Sequence, residues 1–191
     1  MIVRARRVVS LSLGLALACM STAHAEPPAG WILAGSAPTD YEVGVDSTAA
    51  ATGKASALIV AKPNAKGFGT VMQTMSADAY RGGRWRMTGY MKTEDALRAQ
   101  MWMRVDGPAK TILSFDNMDS RPVTGTTEWK RYEIVLEVPQ DSFAIAFGFF
   151  LMQRGKVWGD GFKFEKVDSS VPVTAGTGSL PKAPANSDFE Q

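Results

Sequence analysis

The sequence predicts an all-β protein, an antiparallel sandwich or barrel of about nine strands. Three observations carry this. Short runs of apolar and polar residues alternate with a period of two, the mark of half-buried strands. The runs are separated by Gly, Pro, Asn and Asp and recur every 10 to 15 residues or so. Eighteen glycines and ten prolines among 191 residues fit such a turn-rich fold, and 45% apolar content suffices for a core.

The elements follow in order. Glu26–Gly30 is a polar, proline-containing entry. Tyr41–Asp46 is the first clear strand, and Ser56–Ala61 comes after Gly53. Phe68–Met75 follows Gly67, where Gly67-Phe68-Gly69 reads as turn chemistry. Arg84–Lys92 follows Gly82-Gly83, and Ala99–Asp106 stops at the breaker pair Gly107-Pro108. Between these two strands Thr93-Glu94-Asp95 can open a helical turn over Thr93–Arg98. Thr111–Asp116 is short, Glu128–Val138 ends at Pro139, Ser142–Met152 ends before Arg154-Gly155, and Lys156–Val167 closes the set. The domain is expected over residues 31–170. Residues 171–191, rich in Pro, Gly, Ala, Ser and Thr, read as a disordered tail.

Alternation assigns faces. In Ala99–Asp106, Met101, Met103 and Val105 point one way, toward a core, and Gln100, Trp102, Arg104 and Asp106 the other. In Arg84–Lys92, Trp85, Met87, Gly89 and Met91 share one face, and Tyr90 lies on the polar face. In Ser142–Met152 the row Phe143, Ile145, Phe147, Phe149 and Leu151 is backed by Ala144, Ala146 and Gly148, which leave room above the sheet. Six of the ten methionines lie between Met72 and Met103 and are expected to fill the core.

The first 25 residues have the pattern of a cleaved export signal. Arg4, Arg6 and Arg7 precede an apolar run, Val8–Met20, and Ala23-His24-Ala25 offers small residues at the cleavage site. Thirteen helical residues reach about 20 Å, short of the roughly 30 Å hydrocarbon core, so no transmembrane helix is expected after cleavage. A periplasmic or extracellular location follows. Cys19 opens a lipoprotein reading, ranked lower because Ala16 stands where a large aliphatic residue is usual. Removing the three arginines from 21 basic residues leaves 18 against 19 acidic, so a formal charge of +2 becomes −1. No electrostatic case for nucleic acid remains. His24 and Cys19, the one histidine and one cysteine, leave with the signal.

Their loss removes most catalytic chemistries. Imidazole-based triads, thiolates and His/Cys zinc or copper sites are excluded from the mature chain. The sequence has no G-x-S-x-G elbow and no phosphate-cradling glycine loop. Carboxylate catalysis remains open through Asp106, Asp116, Asp119 and Glu128. A structural Ca2+ is also open, because calcium takes many backbone oxygens; Asp46 and Asp160 are its candidate ligands.

Five motifs then occur in a recognisable order: Gly53-Lys54-Ala55-Ser56-Ala57-Leu58, Thr70-Val71-Met72-Gln73, Tyr80-Arg81-Gly82-Gly83-Arg84-Trp85, Trp129-Lys130-Arg131-Tyr132 and Val157-Trp158-Gly159-Asp160. In this the chain resembles carbohydrate-binding modules with a galactose-binding-like jelly roll, over about residues 40–168. A narrower resemblance, through Phe115-Asp116-Asn117-Met118, Arg121-Pro122 and Gly125-Thr126-Thr127-Glu128-Trp129-Lys130, is to an uncharacterised bacterial group whose members are often labelled transcriptional regulators. This chain shows no helix-turn-helix pattern. The wider family implies a jelly roll, a tendency to bind glycans and, in many members, calcium near the Asp160 position. The candidate ligand-binding residues are Trp102, Arg104, Tyr90, Asp116 and Asn117: an indole face for a sugar ring, a guanidinium fork and polar groups for hydroxyls. The expectation is an exported, non-catalytic module for a carbohydrate or another small polar ligand. The alternatives are an envelope protein–protein interaction or structural module and a histidine-free glycan-active enzyme.

Overall fold

A computed structural model describes residues 26–174. Residues 1–25, the expected export signal with Cys19 and His24, and residues 175–191 of the expected tail lie outside the described residues. Nine antiparallel strands form the domain: β1 Ile32–Gly35, β2 Tyr41–Asp46, β3 Ser56–Ala61, β4 Phe68–Ser76, β5 Gly83–Asp106, β6 Ile112–Asp116, β7 Val123–Val138, β8 Ala144–Met152 and β9 Lys156–Val167. Two single 3-10 turns, Pro38–Asp40 and Pro108–Lys110, are the only helical elements among the described residues.

The pairing runs β1-β4-β8-β5-β9-β3-β2, with β6 and β7 also on β5. Two layers result, and β5 belongs to both. Its first part, from Gly83, pairs with β7 and β9. Its last part, from Arg98 to Asp106, pairs with β8, and the end of that part also pairs with β6. Between them the register slips at Met91/Thr93, Thr93/Ala96 and Ala96/Ala99. These bulges bend the strand from one layer into the other.

The count of nine therefore stands with two corrections. Arg84–Lys92 and Ala99–Asp106 are one strand of 24 residues, with no helical turn over Thr93–Arg98. The Thr93 hydroxyl, which a helix cap would use, instead meets the Thr127 hydroxyl on β7 at 3.0 Å. Thr93 and Ala96 are buried, and Asp95 absorbs a bulge at φ +48°. The second correction is β1, whose four residues fell below the length at which alternation is visible.

The core lies where alternation puts it. Met87, Met91, Met101, Met103, Ile145, Phe149 and Leu151 are fully buried between the layers. Trp31, Phe147 and Phe162 meet edge-on or tilted at one end, and Tyr80, Trp85 and Phe164 extend the aromatic packing. Phe143 is the exception to its row: β8 starts one residue later, and its ring is 71% exposed. Met72 also departs from expectation, packing on the outer side with Trp102 and Phe150. The motif glycines behave as turn and contact residues. Gly67 has φ +53°, and a Cβ on Gly69 would stand 2.4 Å from the Tyr41 ring.

The described residues continue past 170 to Thr174. Thr174 lies along the free edge of β7, its N–H donating to the Val135 carbonyl (2.9 Å) and its hydroxyl accepting from the Val135 N–H (2.8 Å).

Candidate ligand-binding groove

The outer face of the β6-β5-β8-β4-β1 layer carries a groove of about 520 Å³. Its depth comes from β8. Opposite Arg104, Trp102 and Gln100 on β5 stand Ala146, Gly148 and Phe150, so two of the three facing residues have almost no side chain. A Cβ on Gly148 would sit 2.2 Å from the Val71 carbonyl oxygen, which makes glycine a requirement of the β4–β8 contact as well. The Trp102 indole lies across this gap, and its Nε1–H donates to Thr70 Oγ1 on β4 at 2.9 Å. Thr70 in turn donates to the Phe149 carbonyl at 2.8 Å.

Four alternate residues of β5 line the groove: Arg98, Gln100, Trp102 and Arg104. Each is held by a neighbour. Arg98 donates to Gln100 Oε1 (2.7 Å) and to Asp119 Oδ1 (2.8 Å). Gln100 donates to the Asn117 carbonyl (2.6 Å). Arg104 grips Asp106 through Nε (2.7 Å) and Nη2 (3.0 Å). Phe68, Met72, Phe150 and Met152 complete the floor, and Phe115, 44% exposed, stands at the lip. Such a row is pre-organised: its side chains are fixed before any ligand arrives.

The expected site residues divide. Trp102, Arg104 and Asn117 are brought together. Trp102 is not the exposed platform expected: it is 8% exposed, because Met72 and Phe150 pack against it. Tyr90 belongs elsewhere. It pairs with Arg131 and Asp160 in the other layer, on the opposite outer face. Asp116 is withdrawn from any ligand. It is 6% exposed and accepts from both Arg121 Nη atoms (3.2 and 2.6 Å), the Met118 N–H (2.7 Å) and the Thr174 hydroxyl (2.6 Å). Arg98, Gln100 and Phe115 are groove residues that motif reasoning missed, and Asp119, considered only as a catalytic carboxylate, lines the groove as well. Gln100 was legible through the alternation that marked Trp102; Arg98 was hidden by the helical turn assigned to it.

Asp46 and Asp160 flank the 47–55 loop. Asp160 accepts from the Ala51 and Thr52 N–H groups (2.9 and 2.7 Å) and faces the Thr52 hydroxyl (3.2 Å). Asp46 accepts from the Thr48 N–H (2.8 Å) and hydroxyl (2.7 Å) and from Trp158 Nε1–H (2.8 Å). The Thr48 hydrogen bonds, and next the Trp158 bond, hold the Asp46 carboxyl below the usual range. The loop turns N–H donors toward Asp160, and calcium needs six to eight oxygens. This donor set does not fit a calcium ion; the two carboxylates anchor the loop. No cluster of three or more His, Cys, Asp or Glu residues suited to a metal occurs among the described residues.

The four carboxylates considered for catalysis are each paired with a cation: Asp106 with Arg104, Asp116 with Arg121, Asp119 with Arg98 and Glu128 with Lys92.

No protein-family model matches the chain. It is 44% identical over 167 residues to the uncharacterized HTH-type transcriptional regulator YbfP of Bacillus subtilis (strain 168). That match takes in 85% of this chain and 57% of the relative, so the chain spans little more than half of the relative's length. Among solved structures, the CBM22-1 xylan-binding domain of Paenibacillus barcinonensis Xyn10C superimposes with a TM-score of 0.56 at 12% identity, over 76% of this chain and 91% of that one. The C-terminal family 22 carbohydrate-binding module of Clostridium thermocellum Xyn10B gives 0.54 at 13% identity, over 76% and 89%. The enzymatically active domain of bacteriophage CBA120 tailspike protein 4 gives 0.55 at 15%, over 73% of this chain and 20% of that one. Likenesses at these identities establish the jelly-roll fold that the motif order implied.

Proposed function

We propose that the protein is an exported, non-catalytic binding module whose groove beside Trp102 takes a saccharide or a closely similar polar ligand. The observation that carries this reading is the row Arg98, Gln100, Trp102 and Arg104, fixed by its own hydrogen bonds along a groove of about 520 Å³, a size suited to a small molecule. Guanidinium groups at both ends of the row supply donors for hydroxyl oxygens. The cation pairing of every candidate carboxylate supports binding without catalysis. The fold shared with xylan-binding modules supports a saccharide, and the n-region, apolar run and small-residue cleavage pattern support export. The 44% identity to part of a protein named as a regulator is compatible with a ligand-binding unit used in a different chain context.

Affinity electrophoresis of the purified protein through gels containing different polysaccharides, followed by calorimetry with their oligosaccharides, tests the reading. Retardation is expected in at least one gel. Arg104→Ala is expected to weaken the interaction about tenfold to a hundredfold, the effect of losing a charge-assisted hydrogen bond, whereas Lys92→Ala on the opposite face leaves it unchanged. A second reading, a protein partner, rests on the exposed side chains of Phe143 (71%) and Ile112 (60%) near the Asp106 end of the groove. Failure of every glycan together with recovery of one stable protein partner selects that second reading.

A further inference from the structure

The groove's polarity is distributed in a way that a bare oligosaccharide does not use. Its floor has few open hydrogen-bonding atoms. Trp102 Nε1–H is spent on Thr70, the Thr70 hydroxyl on Phe149, and Gln100 on Arg98 and Asn117. Thr70 and Gln100 are also only 3% and 1% exposed. What faces outward along the floor is Phe68, Met72, Phe150, Met152 and Ala34. Sugar hydroxyls laid there would give up water without replacement, which is unfavourable. Nor is the floor one flat ring. Phe68 and Phe150 are tilted by 52° to each other, and the thioethers of Met72 and Met152 adapt to irregular, flexible apolar shapes.

The rim is different. Arg104 spends Nε and Nη2 on Asp106, and Arg98 spends Nε and Nη2 on Gln100 and Asp119. Each thus keeps Nη1 outside the hydrogen bonds found among the described residues, and their side chains are 38% and 32% exposed. An apolar trough with cationic donors at both ends complements a molecule that is apolar along its middle and carries acceptor oxygens at an end.

We infer that the ligand is an amphipathic saccharide, one carrying an alkyl or acyl substituent, with the substituent on the Phe68–Met72–Phe150–Met152 floor and the sugar oxygens at an arginine of the rim. This rests on the saccharide-binding reading above and narrows its ligand class. No covalent step is involved.

The test is a titration of the protein with methyl, butyl and hexyl β-glycosides of glucose, galactose and xylose, below their aggregation concentrations. It is read by amide and indole NMR shifts at Gly148 and Trp102. For at least one sugar, affinity is expected to rise about fourfold per added methylene, the gain from burying each CH₂, until the floor is covered. Ala34→Phe, which fills the floor without removing a hydrogen bond, is expected to abolish that slope. Oligosaccharides that bind while methyl and hexyl glycosides bind equally would overturn this inference and leave the saccharide reading standing. Hexanol binding as tightly as the hexyl glycosides, or no shift at Gly148 and Trp102 with any ligand, would overturn both.

Discussion

The two outer faces of the sandwich are built by the same strand and end as opposites. On the first part of β5, Arg84, Arg86 and Lys92 point outward and meet Glu137, Glu133, Glu165 and Glu128 from β7 and β9. Long side chains of opposite charge lie across one another and level that surface. On the last part of β5, Gln100, Trp102 and Arg104 point outward by the same alternation, but Gly148 and Ala146 on β8 face Trp102 and Arg104. The difference teaches that a polar row on a strand does not make a binding site. The neighbouring strand does, by being long-chained and complementary on one face and nearly bare on the other.

Substitutions that erase the contrast rank by size of effect. Trp102→Ala is expected to destabilise most, by about 3–5 kcal/mol, because the indole is almost wholly covered; chemical denaturation reads this, and loss below 1 kcal/mol would mean that the indole is free. Gly148→Ala follows. Its Cβ meets the β4 backbone rather than a movable side chain, so overpacking costs about 1–3 kcal/mol, visible as a lower Tm. Asp46→Asn sharpens the contrast through pH. Asp46 titrates below its unfolded value, so its contribution is complete above that value and is lost as pH falls through the lower, folded one. The variant is expected to be less stable at pH 7 and to show a shallower loss of stability below about pH 4, in unfolding curves taken across acid pH. The smallest effect belongs to the levelled face. Removing the Lys92–Glu128 pair, with Glu128 84% exposed, is expected to change stability by about 0–1 kcal/mol in a double-mutant cycle.

Much of this was legible in the chain. The period-two pattern placed Met101, Met103 and Val105 inside and Trp102 and Arg104 outside, because burial on one face of a strand writes itself locally. The motif Tyr80–Trp85 is also local: the Trp85 indole N–H donates to the Tyr80 carbonyl at 2.8 Å. What escaped was non-local. The covering of Trp102 depends on Met72, thirty residues upstream. The withdrawal of Asp116 depends in part on Thr174, 58 residues downstream in the stretch that composition assigned to a tail. The continuity of β5 was hidden because its bulged stretch carries Thr93, Glu94 and Asp95, the polar residues of a turn or helix start.

That continuity has a kinetic consequence. A strand shared by both layers prevents either from closing by itself, since each half of β5 needs partners distant in sequence, Phe149 for Met101 and Phe164 for Met87. A topology so dependent on remote pairing folds slowly, in about milliseconds to seconds, and opens as one unit. The amides of β5 are then the last to exchange with solvent, on both sides of its bend alike.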